Sequence, residues 1–155
     1  MLQLKGEHLC FLGFSLVISL STLLSLHVGQ WAAGVPSLGW VSGVVRIAVF
    51  LGAALLSGRI GSLASRPQLL WLAAALDGLG ALAVVAWAAA GLGEGLYVVG
   101  LVANAVGYAL LYLCWIELYA RMDLMHVIAY FSLTHLLSAA VSLAVLSVGV
   151  QAFQA

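Results

Sequence analysis

Five long apolar runs take up nearly the whole chain, and the few positive charges between them fall on one side. The runs are approximately Leu9–Gly29, Leu38–Leu56, Leu69–Ala90, Leu96–Leu118 and Val127–Val150. Each meets the requirement of roughly 20 apolar residues to cross a hydrocarbon core about 30 Å thick. A segment in hydrocarbon must satisfy its own backbone groups, and these runs lack the alternation of a barrel strand, so all five are expected to be helices. The expected fold is therefore an all-α polytopic membrane protein with five transmembrane helices. It forms a single transmembrane domain over residues 1–155.

Composition excludes a hidden soluble domain. Of 155 residues, 65% are hydrophobic and only 6% are charged, against about 25% charged in an ordinary globular domain. The connections, such as Gln30–Ser37 and Gly91–Gly95, are too short to fold separately. The first run could be read as a signal peptide because Lys5 precedes it and small residues occur near Ala32–Gly34. It is longer than the ~7–15 residues of a signal core, and four more spans follow, so a retained helix is expected.

Lys and Arg favour cytoplasmic loops, and short loops obey this bias best. Lys5 precedes the first span, Arg59 and Arg66 lie between the second and third, and Arg121 lies between the fourth and fifth. The opposite loops hold neither Lys nor Arg, and one carries Glu94. The N-terminus is thus expected in the cytoplasm and the C-terminus outside, in a bacterial cytoplasmic membrane. Trp31, Trp40, Trp71, Trp87, Trp115, Tyr97 and Tyr119 sit near span ends, where amphipathic rings straddle headgroups and hydrocarbon. Pro36 and Pro67 fall just before the second and third helices, where a missing N–H and a fixed φ cost little.

Polar groups inside the spans are the places to look for function, because an ionisable group at bilayer depth is normally paired or faces water. Arg46 and Asp77 come out ~16 Å and ~12 Å from the cytoplasmic end at 1.5 Å per residue, a difference a guanidinium side chain can cover. An intramembrane Arg46–Asp77 pair is expected, with helix register as its favoured role and a ligand or proton site as the other. Asn104 and His135 enter their helices from opposite faces, and His135 shares a helix face with Ser138 and Ser142, so these four are candidates to line one polar cavity. His135 has the ordinary titration range of a pH sensor, although bonding to a nearby Ser or carbonyl is the commoner fate of such a residue.

His8, His27 and His126 show no spacing that would gather metal ligands, and no metal or other cofactor is expected. Gly39-xxx-Gly43, Ser15-xxx-Ser19 and Ser138-xxx-Ser142 are expected to let helix backbones approach closely. Glu117 and Arg121, at i and i+4, form a favourable pair at the cytoplasmic interface. Cys10 and Cys114 lie near cytoplasmic span ends, where thiols stay reduced, and neither has a neighbouring base. With no nucleophile–base pair and no ligand cluster, an enzyme is not expected. Zero formal net charge and four scattered cytoplasmic cations argue against direct DNA binding.

Two segments carry family resemblances. Gly61-Ser62-Leu63-Ala64-Ser65-Arg66, between the second and third spans, resembles the G-x-L-A-D-R-type loop of major facilitator transporters, with Ser65 in place of the acid and Pro67-Gln68-Leu69 in place of further basic residues. Trp115-Ile116-Glu117-Leu118-Tyr119-Ala120-Arg121, followed by YFSLTHLLSAAVS over Tyr130–Ser142, resembles actinobacterial LuxR-type helix-turn-helix regulators with a major-facilitator-like membrane sensor. In that family a W-x-E-x-Y-A-R segment closes the fourth span, and Trp115, Glu117, Tyr119 and Arg121 match it. The resemblance runs over most of residues 38–142 and implies the membrane sensor portion of a transcription-regulating signalling protein. That family's membrane region is about twice this size and precedes its DNA-binding domain, so the chain is expected to be a truncated or stand-alone sensor piece. Its expected partners are the lipid bilayer, an unknown small ligand, and itself or another membrane protein, with no nucleic acid bound directly. The alternatives are a major-facilitator-like half-transporter and an accessory membrane protein acting through helix contacts.

Overall fold

A computed structural model describes residues 14–22, 39–63 and 65–154. The described residues are helical apart from short connections. We label the helices α1 (14–22), α2 (Gly39–Ile60), α3 (Pro67–Ala90), α4 (Glu94–Tyr119) and α5 (Leu124–Gln154). Among the described residues, three helices are long and apolar enough to cross a membrane: Pro67–Ala90, Glu94–Tyr119 and Leu124–Ala144. In α2 the apolar stretch Trp40–Leu56 is shorter. Most of the first run lies outside the described residues, as do Lys5, His8, Cys10, His27, Trp31 and Pro36.

The helix boundaries have local causes. Pro67 opens α3, where its ring imposes a helical φ and no donor is lost. Gly91 ends α3 in the left-handed region (φ 61°, ψ 31°), and its N–H returns to the Trp87 carbonyl at 3.0 Å. A Cβ is disfavoured in that conformation, so glycine is the residue for the position. Glu94 places a negative charge in the first turn of α4, facing the positive end of the helix dipole. Asp123 caps α5, its Oδ1 accepting from the N–H groups of Met125 and His126 at 3.1 Å each.

The chain divides into two compact units, one containing α1 and α5 and the other α2, α3 and α4. In the first, Ser15, Ser19, Thr134 and Ser138 are buried. Ser19 donates to the Ser15 carbonyl at 2.7 Å and meets Ser138 Oγ at 3.0 Å across the helix pair. Serines thus supply both the small side chains for close approach and the polar contact between these helices.

In the second unit α4 packs mainly on α3 and also against α2. The α3–α4 hairpin closes through small residues. A Cβ added at Gly80 would lie 2.6 Å from the Gly100 carbonyl and 2.8 Å from Asn104 Cα. One added at Gly107 would lie 2.6 Å from the Ala73 carbonyl and 2.8 Å from Asp77 Cα. Lipid offers helices no hydrophobic drive to associate, so this backbone-level contact supplies dispersion instead. At Gly43, by contrast, an added Cβ would meet nothing within 4 Å among the described residues.

The aromatic residues also divide. Trp40 and Trp71 are 64% and 77% exposed near helix ends, as a membrane-interface ring should be. Tyr97 and Trp115, expected in the same belt, are buried instead, Tyr97 against Trp87 with ring centroids 4.4 Å apart.

Candidate functional site

The α2–α4 unit carries two polar constellations, one inside the helices and one at the end from which Arg59, Arg66 and Arg121 project. In the interior, Asp77 of α3 and Asn104 of α4 are buried at 3% and 4% exposure. Asn104 Nδ2 donates to Asp77 Oδ1 at 2.8 Å and approaches the Asp77 backbone carbonyl at 3.2 Å. The two residues lie at similar distances from the Gly91 turn, so hairpin register brings them level. Gly80 and Gly107 bring the backbones close enough for an amide to reach the carboxylate.

Arg46, expected to pair with Asp77, lies on α2 of the same unit. Its guanidinium carbon stands 4.2 Å from the centroid of the Tyr108 ring, a cation–π arrangement. The Asp77 carboxyl takes a hydrogen bond from Asn104. Tyr108 in turn stacks on Tyr112 at 6.0 Å, and Tyr112 meets Phe50 of α2 at the same centroid distance. The Asp77–Asn104 bond escaped sequence reasoning because pairing was sought between opposite charges. Similar spacing of the two residues from the hairpin turn was the signal that could have found it.

The other members of the expected polar cavity lie on α5, in the first unit. Ser138 meets Ser19. The His135 Nδ1–H donates to the Phe131 carbonyl one turn back at 2.9 Å, and its ring lies 4.2 Å from the Phe131 ring. Ser142 is half-buried. Among the described residues no three His, Cys, Asp or Glu side chains are grouped to hold a metal. Cys114 is a buried free thiol.

At the end of the unit, the connection between α2 and α3 folds into a compact turn. Gly61 leaves α2 with φ 66°, Ser65 Oγ donates to the Ser62 carbonyl at 2.8 Å, and the Arg66 N–H donates to the Leu63 carbonyl at 3.1 Å. Arg121, just beyond α4, reaches this turn. Its Nη2 donates to Ser62 Oγ at 2.7 Å and to Glu117 Oε1 at 3.0 Å. One nitrogen serves both acceptors. The arginine side chain is 57% exposed and that of Glu117 27%, so the ion pair contributes only about 0.3–0.5 kcal/mol.

Next to this latch is an open-sided cavity of about 350 Å³. Phe50, Ala53 and Ala54 of α2 form one wall, Leu113, Ile116 and Glu117 of α4 another, and Gly61 and Leu63 the rim. The volume falls within the roughly 300–1,000 Å³ of small-molecule sites. Its lining residues are apolar apart from Glu117. The sequence marked Glu117 and Arg121 as interfacial but gave no sign of the cavity, which requires the small residues of α2 to face α4 across the turn.

Comparison with family models, with curated proteins and with solved structures finds no match.

Proposed function

We propose that the chain is a sensor module of a bacterial cytoplasmic membrane. It spans the bilayer five times with its N-terminus inside and takes up a small, largely apolar molecule in the α2–α4 cavity. In this reading it is similar in role to the membrane portion of LuxR-type regulators. It signals through itself or another membrane protein and neither binds DNA directly nor performs catalysis. The carrying observation is the contact between the two segments that resemble known families. Ser62 of the 61–66 turn and Glu117 and Arg121 of the 115–121 segment are joined by hydrogen bonds at the rim of one cavity. A ligand there touches both segments, so its binding energy can alter how firmly the turn is held.

The test is thermal unfolding of the protein in lipid nanodiscs with octanol and octylamine as probes. A saturable rise in melting temperature with at least one probe, abolished by Ala53→Phe filling the cavity, is expected. No rise with either, or an equal rise in Ala53→Phe, refutes the reading.

A further inference from the structure

Resting on that reading, we propose that the cavity selects amphiphiles bearing one cationic amine, and that the amine takes the place of Arg121 on Glu117. The argument begins with where polarity sits along the helices. Glu117 lies in the last turn of α4, at the shallow end of the cavity, whereas Leu113 is one turn deeper. On α2, Ala53 and Ala54 lie further from the Ile60 end than the rim does, and Phe50 lies further still. The site is thus graded from a carboxylate at the interface to hydrocarbon within. A molecule with a charged head and an apolar tail matches that gradient, as long cationic side chains do when they reach the membrane surface.

The sign of the head group follows from Glu117, the one charged wall residue of the cavity. An anionic head meets repulsion, and a neutral hydroxyl can donate to the carboxylate but brings no opposite charge. Arg121 does not close the site to a cation. It touches Glu117 through a single nitrogen that also serves Ser62, and more than half of its side chain is exposed. A primary alkylamine, protonated at neutral pH, brings its own donors to the carboxylate. Arg121 then swings into water, and its bond to Ser62 is lost with it. Ligand charge thereby couples to the turn between α2 and α3.

The experiment is photolabelling of the protein in nanodiscs with three decyl probes that carry a tail diazirine and end in an amine, an alcohol or a carboxylate. Labelled peptides are mapped by mass spectrometry. The amine is expected to label the α2 and α4 wall peptides about twofold more than the alcohol, the value of an ion pair on a partly exposed carboxylate, and the carboxylate least. Glu117→Gln is expected to bring amine and alcohol near parity, and Arg121→Ala to raise amine labelling. Equal labelling by amine and alcohol in the unaltered protein overturns the charge selection and leaves the ligand cavity standing. Absence of wall labelling by every probe, or labelling unchanged in Ala53→Phe, overturns both. A photoreactive phospholipid that labels the walls and is not displaced by decylamine makes a lipid chain the occupant and likewise overturns the proposal.

Discussion

Gly107→Ala tests the α3–α4 hairpin at its closest point. The new Cβ would sit 2.6 Å from the Ala73 carbonyl oxygen and 2.8 Å from Asp77 Cα, whereas comfortable contact needs roughly 3.5 Å or more. The obstructing atoms are backbone, so no side chain can rotate aside and the helices must separate by about 1 Å. Overpacking of this kind costs about 1–3 kcal/mol. Separation also stretches the 2.8 Å Asn104–Asp77 bond, which adds about 0.6 kcal/mol, the average for a hydrogen bond between membrane helices. The sum is roughly 2–3.5 kcal/mol. Gly78→Ala is the control on the same hairpin, because an added Cβ there meets nothing within 4 Å. It should be neutral or stabilising by up to about 1 kcal/mol through helix propensity. Unfolding of both variants and the parent in mixed micelles of increasing denaturing detergent gives the comparison. Equal stabilities for Gly107→Ala and Gly78→Ala would refute the backbone contact.

Three further outcomes are expected. A double-mutant cycle of Asp77→Ala and Asn104→Ala should return a coupling of about 0.6–1.7 kcal/mol, the range for polar contacts between membrane helices, and strict additivity would disprove the bond. Asp123, outside the apolar spans, has its carboxyl held below the ordinary value by the His126 backbone N–H first and by the His126 ring beside it. A depressed folded value means that its stabilisation is complete above the ordinary carboxylate range and is lost as pH falls through the folded value. The melting difference between the parent and Asp123→Ala should therefore narrow as pH falls through and below the ordinary carboxylate range; a difference that grows across that range is the contrary result. Finally, phosphatase fused after Ala155 or within Gly91–Gly95 should be active and within Ser57–Arg66 inactive, and the reverse pattern would invert the proposed orientation.

The helices themselves were legible because each apolar run must be helical in hydrocarbon. Their ends were less so, for α3 begins at Pro67 and α5 at Leu124, a few residues before the apolar runs. Hydropathy marks where hydrocarbon starts, whereas a helix continues through the interface to its cap. Glu117 and Arg121 could be paired from spacing alone, but Ser62 as their third member could not, since the turn at Gly61 decides where that hydroxyl points. The small-residue motifs named Ser19 and Ser138, which do meet across a helix pair, but not Gly80 and Gly107, where the α3 and α4 backbones come close. Spacing of small residues says that a helix can be approached, not by which neighbour. Asp77 and Asn104 show the same limit, because hairpin register joined a charge to a neutral amide.

The most direct test of ligand sensing at the α2–α4 cavity is amide hydrogen exchange of the protein in nanodiscs with and without octylamine. The account predicts altered exchange in residues 61–66 and at the end of α4 around Glu117, with the Gly91–Gly93 turn at the opposite end unchanged. Octylamine that leaves the 61–66 segment unaffected, or that shifts every segment alike, would contradict it.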